Sequence, residues 1–340
     1  MFAALAAEAE TGLTGAAQAK WLTRLETEHG NLLAALEWCG SAPGGTLVGL
    51  ELAAELSRFW SARGYYELGS RMLLAALERD TARAPTGARA KALVRAGGLA
   101  LYRGDYASAR PFIEESLAIH RAAGDARGEA RALAGLATVA LYQRDFPAAI
   151  LHNEASVELY RKVGSPRGEA GAFHNLGYVA LRQGDLARAR EAYRAGLAVL
   201  RQVNDPELLA LTLADLAVAE VRGGDTAAAQ GAVREALGLV RELGARREGA
   251  YALDAAAELA LALADAARAA RLVGAADALR EAMGSPLTPA EAEERSEFVG
   301  RLNGALGEAA AAGQVAVGRE LAFDAAMAYA QGEGAGAAGA

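Results

Sequence analysis

Cysteine is almost missing. Cys39 is the only one in 340 residues, so no internal disulfide can form and a reducing cytoplasm suits the chain. Lysine is scarce as well, limited to Lys20, Lys91 and Lys162. A phosphate-binding loop, G-x-x-x-x-G-K-[ST], needs a lysine between glycine and serine or threonine, and none of these stands there. The segment from Gly15 to Lys20 comes nearest, and Trp21 follows it. His29, His120, His152 and His174 form no H-x-x-x-H pair and no cluster with cysteine. No metal or other cofactor is therefore expected. No G-x-S-x-G elbow occurs, and His29 and Cys39 fall on different faces of one expected helix. Glu114-Glu115 and Glu293-Glu294 read as solvated helix faces. The chain thus reads as non-catalytic. No apolar run approaches the roughly 18 residues that span a bilayer, and no basic segment precedes the first apolar residues. Neither a membrane contact nor a signal peptide is expected. The net charge is -7, with arginine and glutamate interleaved, so there is no basic stripe for direct nucleic-acid binding.

What is abundant is alanine and leucine. Hydrophobic residues make up 53% of the chain and aromatics only 6%, a composition that favours helices with a sizeable core. Aspartates recur every forty residues, at Asp105, Asp145, Asp185, Asp225 and Asp265. Glycine precedes three of them; Arg144 and Ala264 precede the others. Glycine suits the left-handed residue that ends one helix, and aspartate caps the next. Gly64-Tyr65 occupies the same frame forty residues earlier, with the cap lost. That makes six units, the first degenerate. In each, the first helix carries an apolar stripe such as Leu133, Leu136, Ala137, Ala140 and Leu141. Its middle position is always small: Gly97, Ala137, Gly177, Ala217 and Ala257. The second helix repeats an alanine four residues after each aspartate, at Ala109, Ala149, Ala189, Ala229 and Ala269. It stops at Gly124, Gly164, Asn204, Gly244 and Gly284, and pairs such as Ser165-Pro166, Asp205-Pro206 and Ser285-Pro286 open the next unit. Pro111 falls inside a second helix and should kink it.

The expected fold is therefore all-α: a right-handed α-solenoid of stacked helical hairpins in forty-residue units, each helix about 17 residues long. Residues 1–46 form an N-terminal helical linker or cap, with helices over Phe2 to Glu10 and over 16–39. Residues 47–286 hold the six hairpins. Residues 287–331 form C-terminal capping helices, opened by the capping box Thr288-Pro289-Ala290-Glu291 and closed by a helix over 314–330. Residues 332–340 form a Gly/Ala tail expected to be disordered.

The small residue, the Gly-Asp turn and the following alanine, with Gly177, Asp185 and Ala189 as one set, resemble a tetratricopeptide repeat. The usual unit has about 34 residues, and the forty-residue spacing looks like the MalT-like variant found in bacterial STAND-type regulators. A second stretch points the same way. Leu25-Glu26-Thr27-Glu28-His29-Gly30-Asn31-Leu32-Leu33-Ala34-Ala35-Leu36-Glu37-Trp38, with Arg58-Phe59-Trp60 and Arg63-Gly64-Tyr65, resembles the segment that joins the ATPase module to the repeats there. The resemblance implies a sensor arm of a LuxR- or SARP-type transcriptional regulator. An ATPase and a DNA-binding module would then lie elsewhere on the same full-length chain. The alternatives are a free-standing adaptor or peptide receptor, and an accessory array of a kinase or cyclase.

In stacked hairpins the first helices line the concave side. Residues beside their apolar stripe then face a groove: Lys91, Tyr102, Arg131, Tyr142, His174, Asn175, Tyr178, Arg182, Asp215 and Arg222. Tyrosine and arginine are favoured at binding hot spots, so the expected partner is a protein segment, a peptide or a small effector. Val94, Gly98, Ala134 and Thr138 stand where the carboxylate-clamp repeats carry lysine and asparagine. Acidic C-terminal tails are not the expected ligand.

Overall fold

The computed structural model describes residues 2–13, 17–203, 205–283 and 287–332. Among them are eighteen helices and no strand, the all-α fold that the periodicity predicts. The chain divides into two compact units, residues 1–172 and 173–340.

The first unit starts with α1 (Phe2–Gly12), α2 (Gln18–Thr27) and α3 (His29–Ser41). One helix was expected over 16–39, and it is broken at Glu28. The break lets the His29 ring stack on Tyr65 at 5.5 Å. Three hairpins follow: α4 (Gly45–Ala62) with α5 (Tyr66–Arg79), α6 (Gly87–Tyr102) with α7 (Tyr106–Ala122), and α8 (Ala126–Tyr142) with α9 (Phe146–Lys162). The unit boundary falls within α10 (Pro166–Gln183). Each first helix packs on its partner and on the next first helix, α4 on α6 and α6 on α8. First helices thus form one layer and second helices the other. Two apolar clusters fill the space between, one around Phe59, Trp60 and Leu93, the other around Ile113 and Leu136.

The second unit holds α11 (Leu186–Leu200), α12 (Pro206–Arg222), α13 (Thr226–Leu243), α14 (Arg246–Ala262) and α15 (Ala266–Ala282). Then come α16 (Pro289–Leu306), α17 (Glu308–Arg319) and α18 (Phe323–Gln331). The helix expected over 314–330 is two helices, with a turn at Glu320 to Ala322. The turn folds Ala326, Met327 and Ala330 back onto α13, α14 and α15, where they are buried. A straight helix would leave that apolar face in water. One cluster, from Ala180 to Ala330, forms this unit's core.

The repeated residues do local work. The side chains of Asp105, Asp145, Asp185, Asp225 and Asp265 each accept from a backbone N–H three residues on, which satisfies a donor the helix start leaves open. Tyr65 makes no such bond. The small position faces the residue eight after the aspartate. A Cβ on Gly97 would meet Ile113 at 2.5 Å, and one on Gly177 would meet Tyr193 at 2.5 Å. Ser116 and Ser156, forty residues apart, each donate to a first-helix carbonyl, of Ala90 and Ala130. Helix α7 runs through Pro111 without a break. The expected stops at Asn204 and Gly284, the Ser285-Pro286 start and the tail over 333–340 lie outside the described residues.

Three turns put a non-glycine residue at the left-handed position, Arg83 at φ 48°, Arg144 at φ 60° and Ala264 at φ 64°, the last two directly before a capping aspartate. A Cβ there crowds the following carbonyl. Ala264→Gly should stabilise the second unit by about 1 kcal/mol, read as a rise in thermal midpoint. A fall would mean that Ala264 makes a contact worth more than the strain.

Candidate binding face

The ten residues assigned to a groove sort into two sets, one on each unit. In the first unit, Lys91 is engaged. Its Nζ lies 2.6 Å from the Glu10 carboxylate of α1 and 3.5 Å from Glu55 of α4. Arg95, one turn further along α6, reaches the other Glu10 oxygen at 2.6 Å. Helix α1 thus packs against α4 and ends over α6 on the first-helix face. Burial tends to raise the Glu10 pKa. Bonds and charges from Lys91 and Arg95 outweigh it and hold the group below the usual carboxylate range. Arg131 is exposed and bonds to the Tyr160 hydroxyl. Tyr142 is half-buried and stacks on Tyr106 at 4.8 Å, 14° from parallel, so it packs between hairpins. The Tyr102 side chain lies outside the described residues.

In the second unit, α16 lies against the first helices. Glu294 pairs with Arg182 of α10. Glu291 accepts from the Tyr251 hydroxyl at 3.0 Å, Arg295 pairs with Asp254, and Arg301 bonds both oxygens of Glu258 at 2.7 and 2.8 Å, all on α14. Arg222, one of the expected groove residues, also reaches Glu258, at 3.4 Å. Asn175 and Tyr178 are half-buried on α10. Sequence reasoning missed α16 as an occupant of this face. Its signal was only the row of charges Glu291, Glu294, Arg295 and Arg301, which reads like any solvated helix.

His174 and Asp215 sit together beneath, with Nε2 and Oδ2 3.6 Å apart. Burial, then Arg247, pushes the His174 pKa down to about 4, so the imidazole is neutral at pH 7. Burial, then the charges of Glu294 and Glu291, pushes Asp215 up to about 8. Thr212 adjoins His174 Nδ1 at 3.3 Å, an order like that of a nucleophile relay. Its hydroxyl is fully buried and donates to the Leu208 carbonyl at 2.7 Å, so no substrate can reach it. Because the folded pKa of Asp215 lies above its unfolded value, its cost is absent below about pH 4, grows through neutrality and is complete above pH 8. Asp215→Asn should therefore stabilise the unit by about 2–5 kcal/mol at pH 8 and by almost nothing at pH 4. Urea midpoints at the two pH values test this. A gain that does not grow with pH contradicts the charge account.

The residues that resemble the ATPase-to-repeat junction pack as one group. The Trp60 indole donates to His29 Nε2 at 3.3 Å, and Phe59 meets the His29 ring edge-on at 5.2 Å. Tyr65 donates to Glu26 at 2.8 Å, and Arg63 pairs with Glu26 at 2.9 Å. Nearby, Leu33, Leu36, Cys39, Met72 and Arg79 line a cleft of about 510 Å³. Burial pushes the Cys39 thiol up, which keeps it protonated and unreactive. No group of three or more metal-ligating side chains occurs among the described residues.

The tetratricopeptide-repeat family model matches residues 88–162 and 168–242, the spans running from α6 through α9 and from α10 through α13. Those stretches are tetratricopeptide repeats. Their units are longer than the usual repeat of about 34 residues. No curated protein matches the chain by sequence. Solved structures share its fold at low identity. A Rap protein complexed with competence and sporulation factor is 14% identical, with a TM-score of 0.69 over 92% of this chain and 81% of that one. Aspartyl phosphate phosphatase F from Bacillus subtilis is 13% identical, with a TM-score of 0.61 over 82% and 73%. The apo form of RapI is 14% identical, with a TM-score of 0.60 over 78% and 96%. At such identities the likeness concerns the tetratricopeptide fold alone.

Proposed function

We propose that the chain is a non-catalytic scaffold that holds a protein segment, peptide or small effector on its first-helix face. We propose further that it is the cytoplasmic sensor arm of a STAND-type transcriptional regulator. The observation that carries the first part is the inner face of the N-terminal unit. Arginines there, Arg131 among them, are explained neither by the core nor by a capping role. One structural neighbour of the same fold is named as a complex with competence and sporulation factor, which fits a role in ligand binding. Another is named a phosphatase. The nearest thing to a hydrolytic site in this chain is the buried Thr212, His174 and Asp215, which argues against that activity. No helix among the described residues is long and apolar enough to cross a membrane.

The regulator reading is supported by the junction-like residues, which form one aromatic and ionic group between α2, α3 and α4. Ligand bound on the first-helix face would favour one arrangement of the array and so bias a motor joined to it. The gene decides between the readings. An in-frame P-loop and helix-turn-helix upstream of the Met1 codon support the regulator. A ribosome-binding site preceded by a stop codon replaces it with a free-standing adaptor, and a kinase or cyclase frame with an accessory array. The purified chain should bind neither ATP nor DNA, and tight binding of either would sink the assignment.

A further inference from the structure

We propose that the cleft between α3, α4 and α5 binds a medium-chain fatty acid, with the tail along its apolar middle and the carboxylate on Arg71. The cleft runs beside α5, a second helix, so the proposal goes beyond the reading of the first-helix face.

The cleft is open because the residues around it are small. Gly30 and Ala34 of α3 and Ala75 and Ala76 of α5 all line it. A Cβ on Gly30 would meet nothing within 4 Å. On the other side α3 and α4 are already in contact, since a Cβ on Gly49 would meet the Cys39 side chain at 3.2 Å. The gap therefore falls between α3 and α5. Leu36, Cys39 and Ala76 are buried at its floor, and Leu33, Leu68 and Met72 are half-buried along it. Water among such side chains lacks the polar partners that hold it in place, so an apolar occupant is favoured. Methionine adapts to different tails. The volume of about 510 Å³ lies within the range of about 300–1,000 Å³ that takes small ligands.

Charge selects the head group. On α5, Leu68, Arg71, Met72, Ala75, Ala76 and Arg79 follow one another at helical spacing and form one stripe along the cleft. Arg79 is already in use. Its guanidinium lies over Gly40, 2.6 Å from where a Cβ would stand, and its Nη1 donates to the Leu36 carbonyl at 3.4 Å. That bond satisfies a carbonyl near the end of α3, and it closes one end of the cleft. Arg71 stands two turns earlier on α5. It is exposed and makes no hydrogen bond, ion pair or ring contact among the described residues. The two positions are about 12 Å apart along the axis, which an extended chain of about ten carbons covers. A carboxylate at Arg71 can take the paired N–H bonds that a guanidinium offers. Among the lining residues Glu37 alone is acidic. It is exposed on α3 and makes no ion pair among the described residues, so it repels an anion from that wall and leaves the α5 side to the head group.

The test uses the full chain and a dansyl-labelled undecanoic acid, whose emission rises in an apolar site. Decanoate, decanol and decyltrimethylammonium are the competitors, each kept below its micelle-forming concentration. The probe should bind saturably, one per chain, and decanoate should displace it at least tenfold more strongly than either of the others. Arg71→Gln should weaken decanoate at least fivefold and leave decanol unchanged. Glu37→Gln should tighten decanoate severalfold. Arg234→Gln, the same charge change at an exposed arginine of α13, should do neither. Ala34→Phe, at an exposed position of the wall, should abolish probe binding with the circular dichroism spectrum unchanged. No saturable binding of the probe, binding that survives Ala34→Phe, or equal effects of Arg71→Gln and Arg234→Gln would each overturn the proposal. Decanol as strong as decanoate would overturn the carboxylate assignment, and so would stronger displacement by decyltrimethylammonium through Glu37. None of these results touches the first-helix face or the gene-context test, so the two readings can fail separately.

Discussion

Gly318→Ala should undock α17 from α15 and destabilise the second unit by about 3 kcal/mol. A methyl at Gly318 would overlap the Arg271 carbonyl oxygen, and one at Gly274 would overlap that of Val315. Both obstacles are backbone, so no side chain can rotate away. The two glycines let α15 and α17 meet main chain to main chain, and either substitution would have to push the helices apart. Within a helix, alanine is otherwise favoured over glycine by about 1 kcal/mol. Gly313 on the same α17 has nothing within 4 Å of its would-be Cβ, so Gly313→Ala should stabilise by about that amount. Opposite signs within one helix separate packing from propensity. Urea denaturation followed by circular dichroism gives the energies, and limited proteolysis should show residues 289–331 opening in Gly318→Ala alone. Equal effects at the two positions would refute the close approach.

Asp254→Ala should cost about 3 kcal/mol, because it removes the nearer of the two carboxylates shared by Arg280 and Arg295 and leaves them only Asp277, at 4.0 and 3.5 Å. Asp254 lies between Arg280 at 2.5 Å and Arg295. Arg280 is almost fully buried and packs over the Tyr251 ring at 5.2 Å. Burial tends to raise the Asp254 pKa, yet the charges of Arg295 and Arg280 prevail and hold it below its usual value. A depressed folded pKa contributes stability above the unfolded value, near 4, and loses it as pH falls through the folded one. The penalty of Asp254→Ala should therefore be full at pH 7 and should shrink below about pH 4. Asp215→Asn carries the opposite pH signature in the same unit. A pH-independent cost at position 254 would mean that the carboxylate acts by shape instead of charge.

The parts of the fold that repeat were legible in the residues. Aspartates at forty-residue spacing, small residues such as Gly97 and Gly177, and the Thr288 capping box are local rules, and each has a local bond or contact behind it. What was not legible is long-range and occurs once. Glu10 finds Lys91 across 81 residues, and Arg182 finds Glu294 across 112. Nothing near Glu10 or Glu294 in sequence distinguishes them from solvated glutamates. Gly274 and Gly318 read as weak spots in helices, since their reason is a neighbour's backbone. The residues assigned to the groove lie on the first helices α6, α8, α10 and α12. The assignment could not say that Tyr142 stacks on Tyr106, or that Arg182 and Arg222 pair with carboxylates of α16 and α14.

Helix α16 also bears on how such a chain can change in length over evolution. Units that touch only their neighbours can be duplicated or lost singly, and the array simply grows or shrinks. Here one helix is fastened at once to Arg182 on α10 and to Asp254 and Glu258 on α14. Inserting or deleting a forty-residue copy between them would put the anchors out of reach of a rod only 18 residues long. Between α10 and α14, copy number is frozen by that span, while substitutions within each copy stay open to drift.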